Sequence, residues 1–155
     1  FNKGFKIGVV LMDLSKAFDT INHALLLTKL RAYEFDEGSL KLLKNYLSDR
    51  YQRCKIDGSF SDWSEIKTGV PQGSILGPLL FNIFINDIFY FVRNSNFCNY
   101  ADDNTLYSCE RDCNQVMNNL RIDFSMFQEW FFNNFLVLNP GKCHFMFLGS
   151  KKNFS

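Results

Sequence analysis

Apolar and polar positions along this chain follow several distinct periods. Phe5 to Met12 is a nearly unbroken apolar run, which predicts a central strand buried on both faces. Beyond Asp13 the period lengthens: Ile21, Ala24, Leu25, Leu27 and Leu30, with Asn22, His23, Thr28 and Lys29 between them, predict a helix that Asp19 is placed to cap. Gly38-Ser39 fits the cap of a second helix running through Leu47, with Leu40, Leu43 and Leu47 on one stripe. Asp57-Gly58 is a hairpin turn signal between runs 52–56 and 62–67. The loop Gly69 to Ser74 leads to Gly77-Pro78, which opens a long apolar helix with Pro78 suited to its first turn. Two strand-like runs, 97–101 and 104–108, then flank an acidic bend at Asp102-Asp103. Val116, Leu120, Phe124, Phe127 and Phe131 recur at i+3/i+4 spacing and predict a helix from about Asp112 to Phe132. A turn at Leu138 to Lys142 feeds a last, alternating strand from His144 to Leu148.

Strand, helices, hairpin, helix, hairpin, helix, strand is the order of an α+β fold with helices on one face of a mainly antiparallel sheet. In that arrangement Asp13 and the Asp102-Asp103 bend meet at one sheet edge. The 155 residues suit one domain with a real core, and 18 Phe is unusually many, so some rings are expected to pack on segments outside the chain. The formal net charge of +1 does not by itself mark a nucleic-acid binder. Five Cys, with Cys109 and Cys113 four apart and Cys143 before His144, lack the paired spacing of a zinc site; reduced thiols in an intracellular protein are expected. Asn82, Asn86 and Asp87 interrupt the apolar run Leu76 to Val92, so a core helix is expected and no membrane span. Trp63 and Trp130 read as packing residues. The sequence opens at Phe1 without Met and stops at Ser155 after a strand-like run, as expected for an excerpt of a longer polypeptide.

The chemistry concentrates in three acids. Asp102 and Asp103 are adjacent at a bend, and Asp13 ends an apolar strand. Buried carboxylates are costly unless paired or metal-bound, and carboxylate oxygens are what a hard divalent cation prefers. Three acids on neighbouring strand ends suit two-metal phosphoryl transfer.

Four stretches, Asp13-Leu14-Ser15-Lys16-Ala17-Phe18-Asp19, Gly69 to Pro78, Tyr100-Ala101-Asp102-Asp103 and Leu138 to Lys142, resemble the successive palm motifs of reverse transcriptases, in the wording of the non-LTR (LINE-like, jockey-type) retrotransposon enzymes. The resemblance spans essentially the whole chain, 1–155. It implies an RNA-directed DNA polymerase palm that adds dNTPs to a primer on an RNA or DNA template, with two Mg2+ ions. It makes Asp13 and Asp102 the principal metal ligands, Asp103 the third acid, and the backbone carbonyl of Leu14 a further ligand. Phe18, five residues after Asp13, takes the place of the steric gate against a 2′-hydroxyl. Gln72 matches the residue that lies against nucleotide and template, with Gly73 allowing close backbone approach, and Lys142 matches a lysine that assists pyrophosphate departure. Cys143 stands where the family often has Thr.

The same resemblance implies that the fingers, the thumb and any endonuclease lie outside this chain, which is expected to polymerise poorly or not at all alone, and that it acts in the nucleus or cytoplasm. Two other readings stay open on the residues: an RNA-dependent RNA polymerase, against which Phe18 and Pro71-Gln72-Gly73 speak, and an inactive retroelement fragment that only folds or binds RNA. Arg50, Arg53 and Lys55 are either backbone contacts for nucleic acid or exposed strand charges. His23 reads as a surface polar residue, and Tyr100 as a support of the acidic hairpin.

Overall fold

The computed structural model describes residues 4–149; the chain termini at Phe1 and Ser155 lie outside them. The chain divides into two compact units, one of residues 18–84 and the other of residues 1–17 with 85–155.

The second of these is built on a four-stranded antiparallel sheet ordered β6-β7-β1-β8, with β1 at Lys6–Met12, β6 at Asn96–Tyr100, β7 at Asp103–Glu110 and β8 at His144–Leu148. Strand β1 is central, paired with β7 from Lys6↔Glu110 to Met12↔Asn104 and with β8 from Ile7↔Leu148 to Leu11↔His144. One face is covered by helix α5, Cys113–Asn133, which starts where the Asp112 side chain accepts from the Asn114 N–H. Val116, Leu120, Phe127 and Phe131 of the expected stripe are buried there, with Phe124 half-buried. Gly8 makes this contact possible: a Cβ at that position would stand 2.6 Å from Val116 Cγ1 and 2.7 Å from Leu120 Cδ1. The expectation that β1 is buried on both faces is corrected. Only Gly8 and Met12 of the strand are fully buried, because α5 covers one face alone. Before β6 the chain runs through a 3-10 helix, Asn86–Phe91, whose Phe89 ring meets Phe97 edge-on; Phe97 in turn meets Phe127.

The unit of residues 18–84 carries most of the short helix α1 (Ala17–Thr20), α2 (His23–Ala32), α3 (Glu37–Leu47), four strands of two residues each, and α4 (Leu76–Ile85). Helix α2 is capped by Asn22, whose Oδ1 accepts from the Leu25 N–H, so the expected cap at Asp19 is corrected: Asp19 lies inside α1. Helix α3 starts one turn earlier than expected, at the Asp36 side chain, which accepts from the Ser39 N–H and hydroxyl; Gly38 and Ser39 are within the helix. The Ser39 hydroxyl holds the exposed Asp36 carboxyl below the ordinary carboxylate range. The buried residues of this unit include Ile21, Leu26, Leu30, Leu40, Leu47, Leu80, Phe81 and Phe84. The Lys29 side chain is buried among them and donates from Nζ to the Phe84 carbonyl at 2.8 Å. Asp57-Gly58 forms a turn with both φ positive, 48° and 84°, between β3 (Lys55–Ile56) and β4 (Ser59–Phe60). The outer ladder pairs β2 (Tyr51–Gln52) with β5 (Ser64–Glu65). Among the described residues no helix is long and apolar enough to cross a membrane.

Candidate active site

Strands β6 and β7 stay in register to the closing pair Tyr100↔Asp103, which leaves Ala101-Asp102 as a two-residue turn. Ala101 has φ 52°. A non-glycine residue in that left-handed region costs about 1–2 kcal/mol and has to be held by its surroundings. Two asparagines hold it. Asn99 Nδ2 donates to the Ala101 carbonyl at 2.8 Å and to Asn104 Oδ1 at 3.1 Å, while Asn104 Nδ2 donates to the Asp102 carbonyl at 2.8 Å. Asn104 is 1% exposed, so its amide is committed to the turn rather than to water. Asp102 is half-buried; Asp103 and Tyr100 are exposed.

The β1–β7 ladder ends at Met12↔Asn104, so the next residue, Asp13, emerges beside the acidic turn. Beyond it Leu14 bridges Leu138 through Ser15 N–H to the Val137 carbonyl (2.7 Å) and Asn139 N–H to the Asp13 carbonyl (2.9 Å). That bridge uses the carbonyl of Asp13. It also anchors the 138–142 turn, in which the Lys142 and Cys143 N–H groups both return to the Asn139 carbonyl. Lys142 Nζ consequently stands 3.4 Å from Asp13 Oδ2. The same Oδ2 is buried and accepts no hydrogen bond among the described residues. A buried carboxylate oxygen with an ammonium at 3.4 Å and no hydrogen bond is a hard oxygen donor of the kind a divalent cation prefers. The three acids are not drawn into a tight cluster: among the described residues no three His, Cys, Asp or Glu side chains are close enough to share an ion.

Phe18, Gln72 and Gly73 belong to the other unit, where the 68–74 loop is fastened to α1 and the start of α2. The half-buried Phe18 ring stacks on Phe81 with centroids 4.6 Å apart, and its carbonyl accepts from the Val70 N–H at 2.8 Å. Gly69, at φ 84°, lies so close that a Cβ would meet the Asp19 backbone at 2.7 Å. Gln72 is exposed and donates from Nε2 to Asp19 Oδ1 at 2.8 Å. His23 is no free surface residue: its Nε2 is 2.7 Å from the Gly69 carbonyl, which makes it a latch of the same loop.

Several residues of structural consequence escaped the sequence reading. Asn104 opens the inward-facing series Asn104, Leu106, Ser108 of β7, and that alternation was its signal. Asp123 falls at i+3 from Leu120 and i−4 from Phe127, an acid on the buried stripe. It is 0% exposed and accepts from the Asn94 N–H (2.9 Å), the Ser95 N–H (2.6 Å) and Asn94 Nδ2 (2.9 Å), pinning the segment that leads into β6. Burial pushes its carboxyl up, but these bonds outweigh burial and hold it below the ordinary value of 3.8. Trp63 is corrected from packing residue to surface residue, 62% exposed with the Arg53 guanidinium 4.6 Å from its ring; Trp130 is buried as expected. Arg53 and Lys55 are exposed on the small ladders and lie over the Phe60 ring. All five cysteines are free thiols.

Residues 2–154 match the reverse transcriptase (RNA-dependent DNA polymerase) family. The chain belongs to that family. It is 31% identical over 140 residues, 86% of its length, to the probable RNA-directed DNA polymerase from transposon BS of Drosophila melanogaster, of which it covers 15%. It is 30% identical over 149 residues, 92% of its length, to the RNA-directed DNA polymerase from mobile element jockey of the same species, covering 16% of that protein. It is also 30% identical over 152 residues to the Retrovirus-related Pol polyprotein from type-1 retrotransposable element R2 of Popillia japonica, with 91% of the chain and 24% of that protein covered. The chain thus spans a quarter or less of the curated relatives named here. Among solved structures, apo telomerase from Candida tropicalis matches over 94% of the chain and 31% of its own length, with a TM-score of 0.67 and 13% identity. Telomerase from Candida albicans matches over 94% of the chain and 27% of its own length, with a TM-score of 0.64 and 16% identity. The fold is that of a polymerase palm, an antiparallel sheet with helix packed against it.

Proposed function

We propose that this chain is the palm of an RNA-directed DNA polymerase that transfers nucleotides from dNTPs to a primer 3′-hydroxyl on an RNA or DNA template. The observation that supports this most is the register that ends β1 at Met12↔Asn104 and so brings Asp13 out beside the strained Ala101-Asp102 turn, with one Asp13 oxygen buried and without a hydrogen bond. Asp13, Asp102, Asp103 and the Leu14 carbonyl would hold two Mg2+ ions. When bound, such ions supply charge neutralisation for the triphosphate and activation of the attacking hydroxyl.

The remaining roles belong to this chain's own side chains. Lys142, 3.4 Å from Asp13, gives a proton to the departing pyrophosphate. Phe18, its ring braced on Phe81, blocks a 2′-hydroxyl and so selects deoxynucleotides. Gln72 and Gly73 form the wall against the incoming nucleotide. Template–primer grip is completed by fingers and thumb elsewhere in the parent polypeptide, so the isolated chain extends a primer poorly. Its place of action is the nucleus or cytoplasm.

Primer extension on poly-rA with dTTP and Mg2+ by the parent polypeptide tests this. Extension is expected, and the double variant Asp102→Ala, Asp103→Ala should abolish it while remaining folded. A soluble, folded parent polypeptide that never extends a primer on any template refutes the proposal.

A further inference from the structure

Asp19 has no place in the metal site, caps no helix, and is exposed. Yet the structure commits it fully. Its backbone carbonyl accepts from the Thr68 hydroxyl at 2.9 Å, its backbone is in contact with Gly69, and its carboxylate accepts from Gln72 at 2.8 Å. The Val70 N–H returns to the carbonyl of the preceding residue, Phe18. The turn that carries the proposed gate and the loop that carries Gln72 are therefore stitched together at four points, and only one of them involves the Asp19 side chain.

That one bond fixes something the backbone does not. An exposed glutamine is free to rotate about three side-chain torsions, and ordering it costs on the order of 1–2 kcal/mol. Its amide can also present either end. A carboxylate only accepts, so the atom facing Asp19 Oδ1 must be the NH2 group. The Gln72 carbonyl oxygen is then turned away from Asp19, toward whatever the loop meets.

We propose that Asp19 is the positioning residue for Gln72, holding its amide in one orientation so that the loop offers a hydrogen-bond acceptor to the incoming nucleotide and its template partner. The nucleotide part of this statement rests on the polymerase reading above; the orientation of the amide does not.

The test is a double-mutant cycle in the parent polypeptide with a conservative rescue. Asp19→Ala is expected to raise the KM for dNTP about 5–10-fold with kcat within about 2-fold, as Gln72→Ala does, since a lost charge-assisted bond weakens positioning rather than the metal chemistry. The double variant should be no worse than Gln72→Ala alone, because both remove one interaction. Asp19→Glu keeps an acceptor-only carboxylate on an exposed side chain and should restore most of the wild-type KM, whereas Asp19→Asn, whose amide can face Gln72 with either end, should not. Thermal stability should stay unchanged in all variants, since both side chains are exposed.

The activity-free readout is the Gln72 side-chain amide pair in 15N NMR spectra. It should shift in Asp19→Ala and stay near its wild-type position in Asp19→Glu. If the amide shifts as expected while the wild-type polypeptide shows no extension, the polymerase reading has failed and the orientation stands. Additive effects of Asp19→Ala and Gln72→Ala, an Asp19→Glu variant as impaired as Asp19→Ala, or an amide pair that ignores Asp19→Ala would each overturn the proposal.

Discussion

Asp123→Ala removes the buried acid that pins the segment leading into β6. The carboxylate is 0% exposed and takes two short backbone bonds, from Asn94 and Ser95, and one from the Asn94 amide, with the Arg93 N–H at a longer 3.3 Å. Bonds to a charged group contribute about 1.5–3 kcal/mol each, and a buried donor left without its acceptor costs about 1–3 kcal/mol. Asn94 is exposed and Ser95 half-buried, so water reaches part of the vacated site and the cost falls below the sum. The expected loss is about 2–4 kcal/mol, a large share of a typical stability of about 5–15 kcal/mol. In urea that lowers the midpoint by on the order of 1–2 M with the slope unchanged.

The pH dependence has a defined sign. Asp123 titrates below its ordinary value in the folded chain, so its contribution is fully present above the unfolded pKa and is lost as pH falls through the folded one. The stability gap between wild type and Asp123→Ala should therefore be constant from about pH 7 to about pH 5 and narrow below about pH 4. Amide hydrogen exchange gives the local readout: Asn94 and Ser95 should lose protection in the variant well beyond the global change. A variant that costs under about 0.5 kcal/mol, or a gap that widens in acid, refutes the reasoning.

Three further outcomes follow from particular contacts. Gly8→Ala should cost about 1–3 kcal/mol in a denaturant titration, because the new Cβ would stand 2.6 Å from Val116 Cγ1 and α5 must move off the sheet. Asn104→Ala should leave the sheet folded but lower kcat and raise the Mg2+ concentration needed for primer extension, since the Asp102 carbonyl and the Asn99 amide lose their partner; an unchanged Mg2+ requirement counts against the brace. Phe18→Ala should let ribonucleotides into the product at least about 10-fold more often, measured by competition of UTP with dTTP on poly-rA, if a ring worth roughly 1–3 kcal/mol of exclusion is removed.

Much of the fold was legible because local chemistry carries it. The 3.6-residue stripe from Val116 to Phe131 needs only one helix and one covered face, and α5 follows it from the Asp112 cap onward. Asp57-Gly58 specifies its turn from two residues, whereas the acidic bend falls one residue earlier than the pattern placed it, at Ala101-Asp102, with Asp103 already paired in β7. The three acids, Phe18 and the Gln72 loop were marked by their motifs and order alone. Where several local partners compete, the pattern misleads: Asp19, Gly38 and Ser39 looked like caps, but Asn22 and Asp36 take that place because their side chains reach the free N–H groups of the first turn.

Tertiary structure alone decided the partnerships between distant residues. Nothing near Asp123 in the chain announces the 93–95 segment, some 28–30 residues away, that surrounds it. Nothing near Lys142 announces Asp13, nor anything near Gln72 its acceptor at Asp19. Hydrophobic period fixes which face of an element is turned inward, since burial is non-directional and depends only on area. Hydrogen bonds and ion pairs depend on distances of about 3 Å and on donor direction, and these exist only once the chain has closed on itself.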